Sequence, residues 1–195
     1  DGGATWGAPI RVNDDVTTND QWQPTLAVTP DGANLGIFYY SRQEAPLNNL
    51  FKFYGRTASI SGPTLTFSPS FAISDVASLP EFGRDSVVNP TYMGDYDQAV
   101  ATPGAFHVVW ADNRNDLPGG APRKDPHVFY KRIDLPIHVT PTVPAVASVI
   151  STQPTTFTVN ISEPANPASL QAGDFNVNGI AASSFAYTPG STTIF

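Results

Sequence analysis

The chain has no cysteine, which excludes both a disulfide framework and a thiolate metal site. Basic residues are scarce: ten Lys and Arg stand against seventeen Asp and Glu, a net charge of -7. That balance argues against nucleic acid and against an anionic membrane surface as partners. No apolar run approaches the roughly 20 residues of a membrane-spanning helix, so membrane insertion is not expected. Nothing at the start has the layout of a signal peptide, and an export signal is therefore expected outside these residues. Helical periodicity is almost missing as well, because Pro, Gly or β-branched residues interrupt every window long enough for a stable helix.

What is present is 195 residues at 41% hydrophobic content, enough for one or two domains with a real core. Nineteen Pro, fifteen Gly, many Ser and Thr and few Lys make the composition of a secreted β-protein, so the expected location is extracellular or the cell surface. The segments "PTLAVTP", "NLGIFYYS", "LFKFYGRTA", "YDQAVATP", "AFHVVWAD" and "HVFYKRID" are short and rich in aromatic and β-branched residues. Turn chemistry such as "PDGAN" and "TPGA" bounds them, and the expected class is all-β.

The chain also repeats itself. "AVTPDGANLGIFYYS" (27–41) matches "AVATPGAFHVVWAD" (99–112) with one residue of slack, and "FYGR" (53–56) matches "FYKR" (129–132). Thr5-Trp6 is followed by "VND" (12–14) as Thr66-Phe67 is followed by "ISD" (73–75). Three copies of one unit are therefore expected: a last strand at 7–14, a full four-strand unit at about 24–75, and three strands at about 96–135. Four-stranded antiparallel units that bury one face against the next are the blades of a β-propeller. The third copy stops after its third strand at "IDLP", which makes 96–135 the expected final blade, with several blades ahead of Asp1.

From Pro136 the texture changes. Residues 136–144 are Pro-rich and poor in hydrogen-bond donors, the expected signature of an extended linker. Within 145–195, "TTFTVNIS" alternates strictly, with Phe157, Val159 and Ile161 on one face. "DFNVNG" and a hairpin around "TPGS" continue the pattern. An incomplete β-sandwich is expected there. Both ends fall inside structural units, so the sequence reads as an excerpt of something longer.

"DGGATW" (1–6) resembles the Asp-box, S/T-x-D-x-G-x-T-W/F, of sialidase-like propellers, without its leading Ser or Thr. The resemblance implies that Asp1 caps a hairpin turn, Gly3 supplies its positive φ, and Thr5 and Trp6 close it with the aromatic packed beneath. "SISGPTLTF" (59–67) is similar to a decayed box with Ser61 in the Asp position. "MGDYDQAVATPGAFHVVWADNRND" (93–116) is similar to a segment of bacterial extracellular proteins labelled sialidase-like or exo-α-sialidase. "SEPANPASLQAGDFNVNG" (162–179) resembles the bacterial immunoglobulin-like modules that follow such propellers. The expected fold is thus a partial sialidase-like β-propeller over 1–135 and a partial immunoglobulin-like β-sandwich over 145–195.

A sialidase resemblance implies an arginine triad on a carboxylate, a Tyr nucleophile activated by Glu, and an Asp acid/base, spread around the ring. Glutamate occurs only at 44, 81 and 163. The catalytic candidates are Tyr96, Glu81 and Arg84, against the plainer reading that Tyr96 packs between blades and the other two are solvated. The two units show no recognisable Tyr-plus-Glu and Arg set. This favours a non-catalytic scaffold or adhesion module that presents loops to glycans or proteins, with an exo-sialidase as the alternative.

No cofactor is expected except calcium, for which Asp95, Asp97, Asp112 and Asp116, with Asn113 and Asn115, form an oxygen-rich group. Alternatively, Asp112 and Arg114 pair as a salt bridge at the strand end, and the acidic residues at 13–20 act as turn formers. His107, His127 and His138 lack metal-ligand spacing. Trp22, Tyr39, Tyr40 and Trp110 suit either sugar stacking or core packing, the second more readily. Open blade edges expose unpaired backbone groups, so the chain is expected to bind further blades, assemble with copies of itself, or aggregate.

Overall fold

A computed structural model describes residues 3–80, 96–116, 124–137, 139–140, 142–145, 151–152, 154–177 and 179–195. It is all-β: among the described residues there is no α-helix, and the sheets are antiparallel and open. The chain forms two compact units, Asp1–Ile133 and Asp134–Phe195.

The first unit holds two successive meanders. Sheet one runs β1 (Gln21–Val28), β2 (Asn34–Ser41), β3 (Lys52–Ser61) and β4 (Thr64–Phe67), and β5 (Phe71–Ala72) continues along β3 beyond β4. Sheet two runs β6 (Gln98–Thr102), β7 (Ala105–Asp116) and β8 (Lys124–Asp134). The β1–β2 turn is set by local chemistry. Asp31 accepts from the Ala33 amide at 3.0 Å and from the Thr29 hydroxyl at 2.6 Å, and Gly32 takes φ +72.

Aromatic residues fill the space between the sheets. Phe53 stacks on Trp110 with centroids 5.5 Å apart, and Phe38 meets Phe106 edge-on at 5.7 Å. Phe38, Phe53, Phe106 and Val108 are fully buried. The buried Tyr40 hydroxyl donates to the Ala111 carbonyl at 2.9 Å and accepts from the Ala111 amide at 3.1 Å, tying a side chain of sheet one to the backbone of sheet two. Burial pushes this phenol up to about 12. Close approach requires Gly36: a Cβ there would stand 2.7 Å from Phe38 Cζ and 3.0 Å from Phe106 Cδ1.

The internal repeat is physical. Tyr39 stacks on Tyr54 in sheet one as Trp110 stacks on Phe129 in sheet two. Arg56 donates to the Val12 carbonyl, and Lys131 donates to the Ile73 carbonyl at 3.1 Å. "VND" thus lies on sheet one as "ISD" lies on sheet two. The same equivalences correct the alignment of "FYGR" with "FYKR". Tyr54, not Phe53, takes the place of Phe129, and Arg56 that of Lys131, an offset of 75 residues instead of 76. A slip of one residue exchanges the two faces of a strand, so the one-residue difference decides which side chains of the two strands are equivalent.

Residues 7–14, expected as a strand, form none. Pro9 has no amide to give a ladder, and the later residues are engaged by side chains. Arg56 holds the Val12 carbonyl, and Asp14 accepts from the Ser70 amide at 3.0 Å.

The second unit is built from short pairings. β9 (Val159–Asn160) pairs with β12 (Thr193–Ile194), and β10 (Asn176–Val177) pairs with β11 (Ile180–Ala181). Thr188–Ser191 form the expected "TPGS" turn, with Gly190 at φ +84 and Tyr187 opposite Ile194. Among its described residues Leu135, Ile161 and Ile194 are the buried apolar ones, and Phe175 lies 5.5 Å from Phe185. The segment expected as a free linker at 136–144 is partly an edge of this unit. Val139 bridges Ile161, and Val143 exchanges both backbone bonds with Thr158 at 2.9 Å. Pro-rich sequence is compatible with such an edge because only alternate amides need partners.

Candidate functional site

A densely bonded polar cluster sits in the C-terminal half of β7. Strand alternation turns Trp110 and Asp112 toward sheet one, and Asp112 is only 2% exposed. Its carboxylate accepts from Trp110 Nε1 at 3.0 Å, from the Arg114 amide at 3.2 Å, from Arg114 Nε at 2.9 Å and from Nη2 at 2.7 Å. Arg114 lies 4.1 Å over the Phe129 ring and gives Nη1 to Asp75 at 2.7 Å. This is the meaning of the W-x-D-x-R spacing: a buried carboxylate orients an arginine flat against an aromatic ring. Beside it opens a cleft of about 280 Å³, lined by Ile73, Asp75, Trp110, Arg114, Phe129 and Lys131 among others.

A second cleft, of about 270 Å³, opens at the start of β3 and shares Asp75 with the first. Here the Tyr54 hydroxyl donates to Glu44 Oε1, and Lys52 Nζ lies 2.6 Å from Glu44 Oε2. Lys52 first, and Tyr54 second, hold the Glu44 carboxyl below its ordinary range. Burial, reinforced by the Glu44 charge, pushes the Tyr54 phenol well above its ordinary value. The carboxylate stays ionised and the phenol stays protonated. Sequence reasoning missed this Tyr–Glu pair because ten residues and a loop separate its members, with no motif linking them.

The sequence candidates scatter. Glu81, Arg84, Asp95 and Asp1 lie outside the described residues. Tyr96 is 81% exposed and not packed between sheets. Asp97 has an Oδ2 that is buried without a hydrogen bond, and burial pushes its carboxyl up to about 6. Asp112 is engaged as above, and Asp116 pairs with Lys124 at 2.7 Å. Among the described residues, no three His, Asp or Glu side chains gather where they could hold a metal ion.

Of the box residues, Gly3 has the expected positive φ of +84. Trp6 stands 90% exposed instead of packed, with its Cζ2 3.9 Å from where a Cβ on Gly3 would lie. The other aromatics pack: Trp22 stacks on Tyr40 at 5.6 Å, and Trp110 lies between Phe53 and Phe129. The acidic residues at 13–20 form turns and ties. Asp15 accepts from the Thr17 amide at 3.2 Å, and Asp20 pairs with Arg42 at 2.8 Å. His107 lies against Tyr130, bonded at 2.8 Å, His127 lies 3.1 Å from Asp125, and His138 is outside the described residues.

Compared with known proteins, the chain matches no family model, no curated protein and no solved structure.

Proposed function

We propose that the chain is a non-catalytic extracellular or cell-surface module that presents loops to glycan or protein surfaces. In this reading the first unit is a pair of blades of a sialidase-like β-propeller and the second an immunoglobulin-like sandwich. Two repeated meanders packed face to face, with β1 lying against β6, support the propeller assignment. The observation that carries the non-catalytic part is the state of the two clefts. Glu44 is tied down by Lys52, Tyr54 is held protonated, and Arg114 is paired with both Asp112 and Asp75. None of these groups is poised to exchange a proton near neutral pH.

A second reading, a glycoside hydrolase of the exo-α-sialidase type with most catalytic residues outside this segment, is favoured by one observation. The Tyr54 hydroxyl touches the Glu44 carboxylate in an open cleft, an arrangement that can deliver a phenolate nucleophile once the proton is taken. An array of sialylated and neutral oligosaccharides, read beside hydrolysis of a fluorogenic sialoside, separates the two. The module binds a glycan class without turnover. Turnover that disappears in Tyr54→Phe would establish the hydrolase instead.

A further inference from the structure

The two clefts of the first unit, about 280 and 270 Å³, share one acidic residue, Asp75. Its place is fixed by the residues just before it. The Ile73 amide donates to the Phe53 carbonyl of β3 at 2.8 Å, and the Ile73 carbonyl accepts from Lys131 of β8 at 3.1 Å. Ser74 Oγ, in a buried residue, accepts the Phe53 amide at 2.9 Å. Residues 73–74 thus clamp sheet one to sheet two, and Asp75 leaves that clamp at the seam. The cleft at Glu44, Lys52 and Tyr54 belongs to sheet one, and the cleft at Trp110, Arg114 and Lys131 to sheet two.

The internal repeat supplies a contrast. Asp14 of "VND" is the counterpart of Asp75 of "ISD", and Asp14 is engaged on its own sheet: it accepts from the Ser70 amide at 3.0 Å and lies 3.7 Å from Arg56. The Asp75 side chain is 81% exposed and gives only Oδ1, to Arg114 at 2.7 Å. Among the described residues, no other residue bonds its Oδ2. An exposed pair of this kind adds little to stability, so folding does not account for a carboxylate held between two clefts.

The charged groups around Asp75 are balanced. Lys52 lies 2.6 Å from Glu44, Arg114 is held by Asp112 as well as by Asp75, and Lys131 uses one of its three N–H donors on the Ile73 carbonyl. Three cations thus stand beside three carboxylates, and donors and acceptors lie side by side without net charge. That arrangement suits hydroxyl groups, each of which both donates and accepts. It does not suit an anion, because each cation already faces an acceptor and the chain as a whole carries -7.

Resting on the glycan reading above, we propose that the two clefts form one groove for a neutral saccharide, with Asp75 as its central acceptor. Together they fall within the roughly 300–1,000 Å³ of small-ligand sites. Asp75 Oδ2 accepts from one hydroxyl of a vicinal pair, and a remaining N–H of Lys131 donates to the other. Arg114, pinned from behind by Asp112, keeps the Asp75 carboxylate in place. Glu44 and Lys52 offer a similar acceptor and donor to the neighbouring sugar.

The whole chain is applied to an array of mannose- and galactose-terminated oligosaccharides, beside sialylated forms of the galactose set. Neutral sugars are expected to bind, with no gain from sialylation and little change between low and high salt. Asp75→Ala is expected to weaken that binding roughly 10- to 100-fold through loss of a charged acceptor, and Asp75→Asn, which keeps a neutral acceptor, to weaken it less. Because Asp75 is exposed, neither variant should move the unfolding midpoint read by tryptophan fluorescence. Asp116→Ala, outside the groove, is expected to bind as the parent does. Neutral-sugar binding that Asp75→Ala leaves intact, or binding confined to sialylated sugars, overturns the proposal and leaves the glycan reading standing. Binding to no sugar on the array overturns both.

Discussion

Asp112→Ala tests whether the W-x-D-x-R cluster holds the first unit together. The substitution takes away an anion that is 2% exposed and bonded to Trp110 Nε1 and to Arg114 through its amide, Nε and Nη2. The indole N–H and a mostly buried guanidinium then lose their acceptor. Removing one partner of a buried pair costs about 3–5 kcal/mol. Arg114 keeps Asp75 at 2.7 Å, which places the loss at the low end, about 3 kcal/mol. For a unit of this length that is a fall of roughly 10 °C in Tm. All three tryptophans, at 6, 22 and 110, lie in the first unit, so tryptophan fluorescence during thermal and urea unfolding reads that unit alone. Asp112→Asn, which keeps an acceptor for the indole, is expected to lose about half as much. Asp116→Ala, which breaks an exposed pair with Lys124, is expected to cost less than about 1 kcal/mol. Equal losses for Asp112→Ala and Asp116→Ala would refute the assignment of the cluster as a stabilising centre.

Asp97 carries a pH dependence of definite sign. Its folded carboxyl is raised to about 6 from an ordinary 3.8, so the folded state binds the proton more tightly than the unfolded chain. The contribution is present below about pH 4 and is lost as pH rises through about 6. Asp97→Asn should flatten urea midpoints between those values and gain on the order of 1 kcal/mol at pH 7, with solvent screening of a half-buried group allowed for. A steeper profile in the variant would contradict this. Gly36→Ala forces a methyl group into the Phe38 and Phe106 rings and should cost about 1–3 kcal/mol by the same fluorescence measurement. A neutral result would mean that the sheets can separate.

Much of the fold was legible in short segments. "NLGIFYYS" and "AFHVVWAD" became β2 and β7 because aromatic and β-branched residues suit a pleated, half-buried surface. The hairpin turns followed from Asp31-Gly32 and from Thr188–Ser191, whose bonds are local. Even "VND" and "ISD" proved to be equivalent, since each lies on its sheet through a cation at the same place on the third strand. Legibility ended where one residue of register mattered, as at Tyr54 against Phe129.

Sequence by itself determined the class, the repeat and the turns, because these rest on periodicity and on side chains that bond within a few residues. Tertiary structure decided which face of each strand is buried, because a strand offers both faces and only a partner sheet chooses between them. It also decided that Glu44 meets Tyr54, that Asp112 is a buried anchor instead of a loop ligand, and that Val143 pairs with Thr158. These contacts join residues that chain proximity does not favour, and they form only once the sheets have packed.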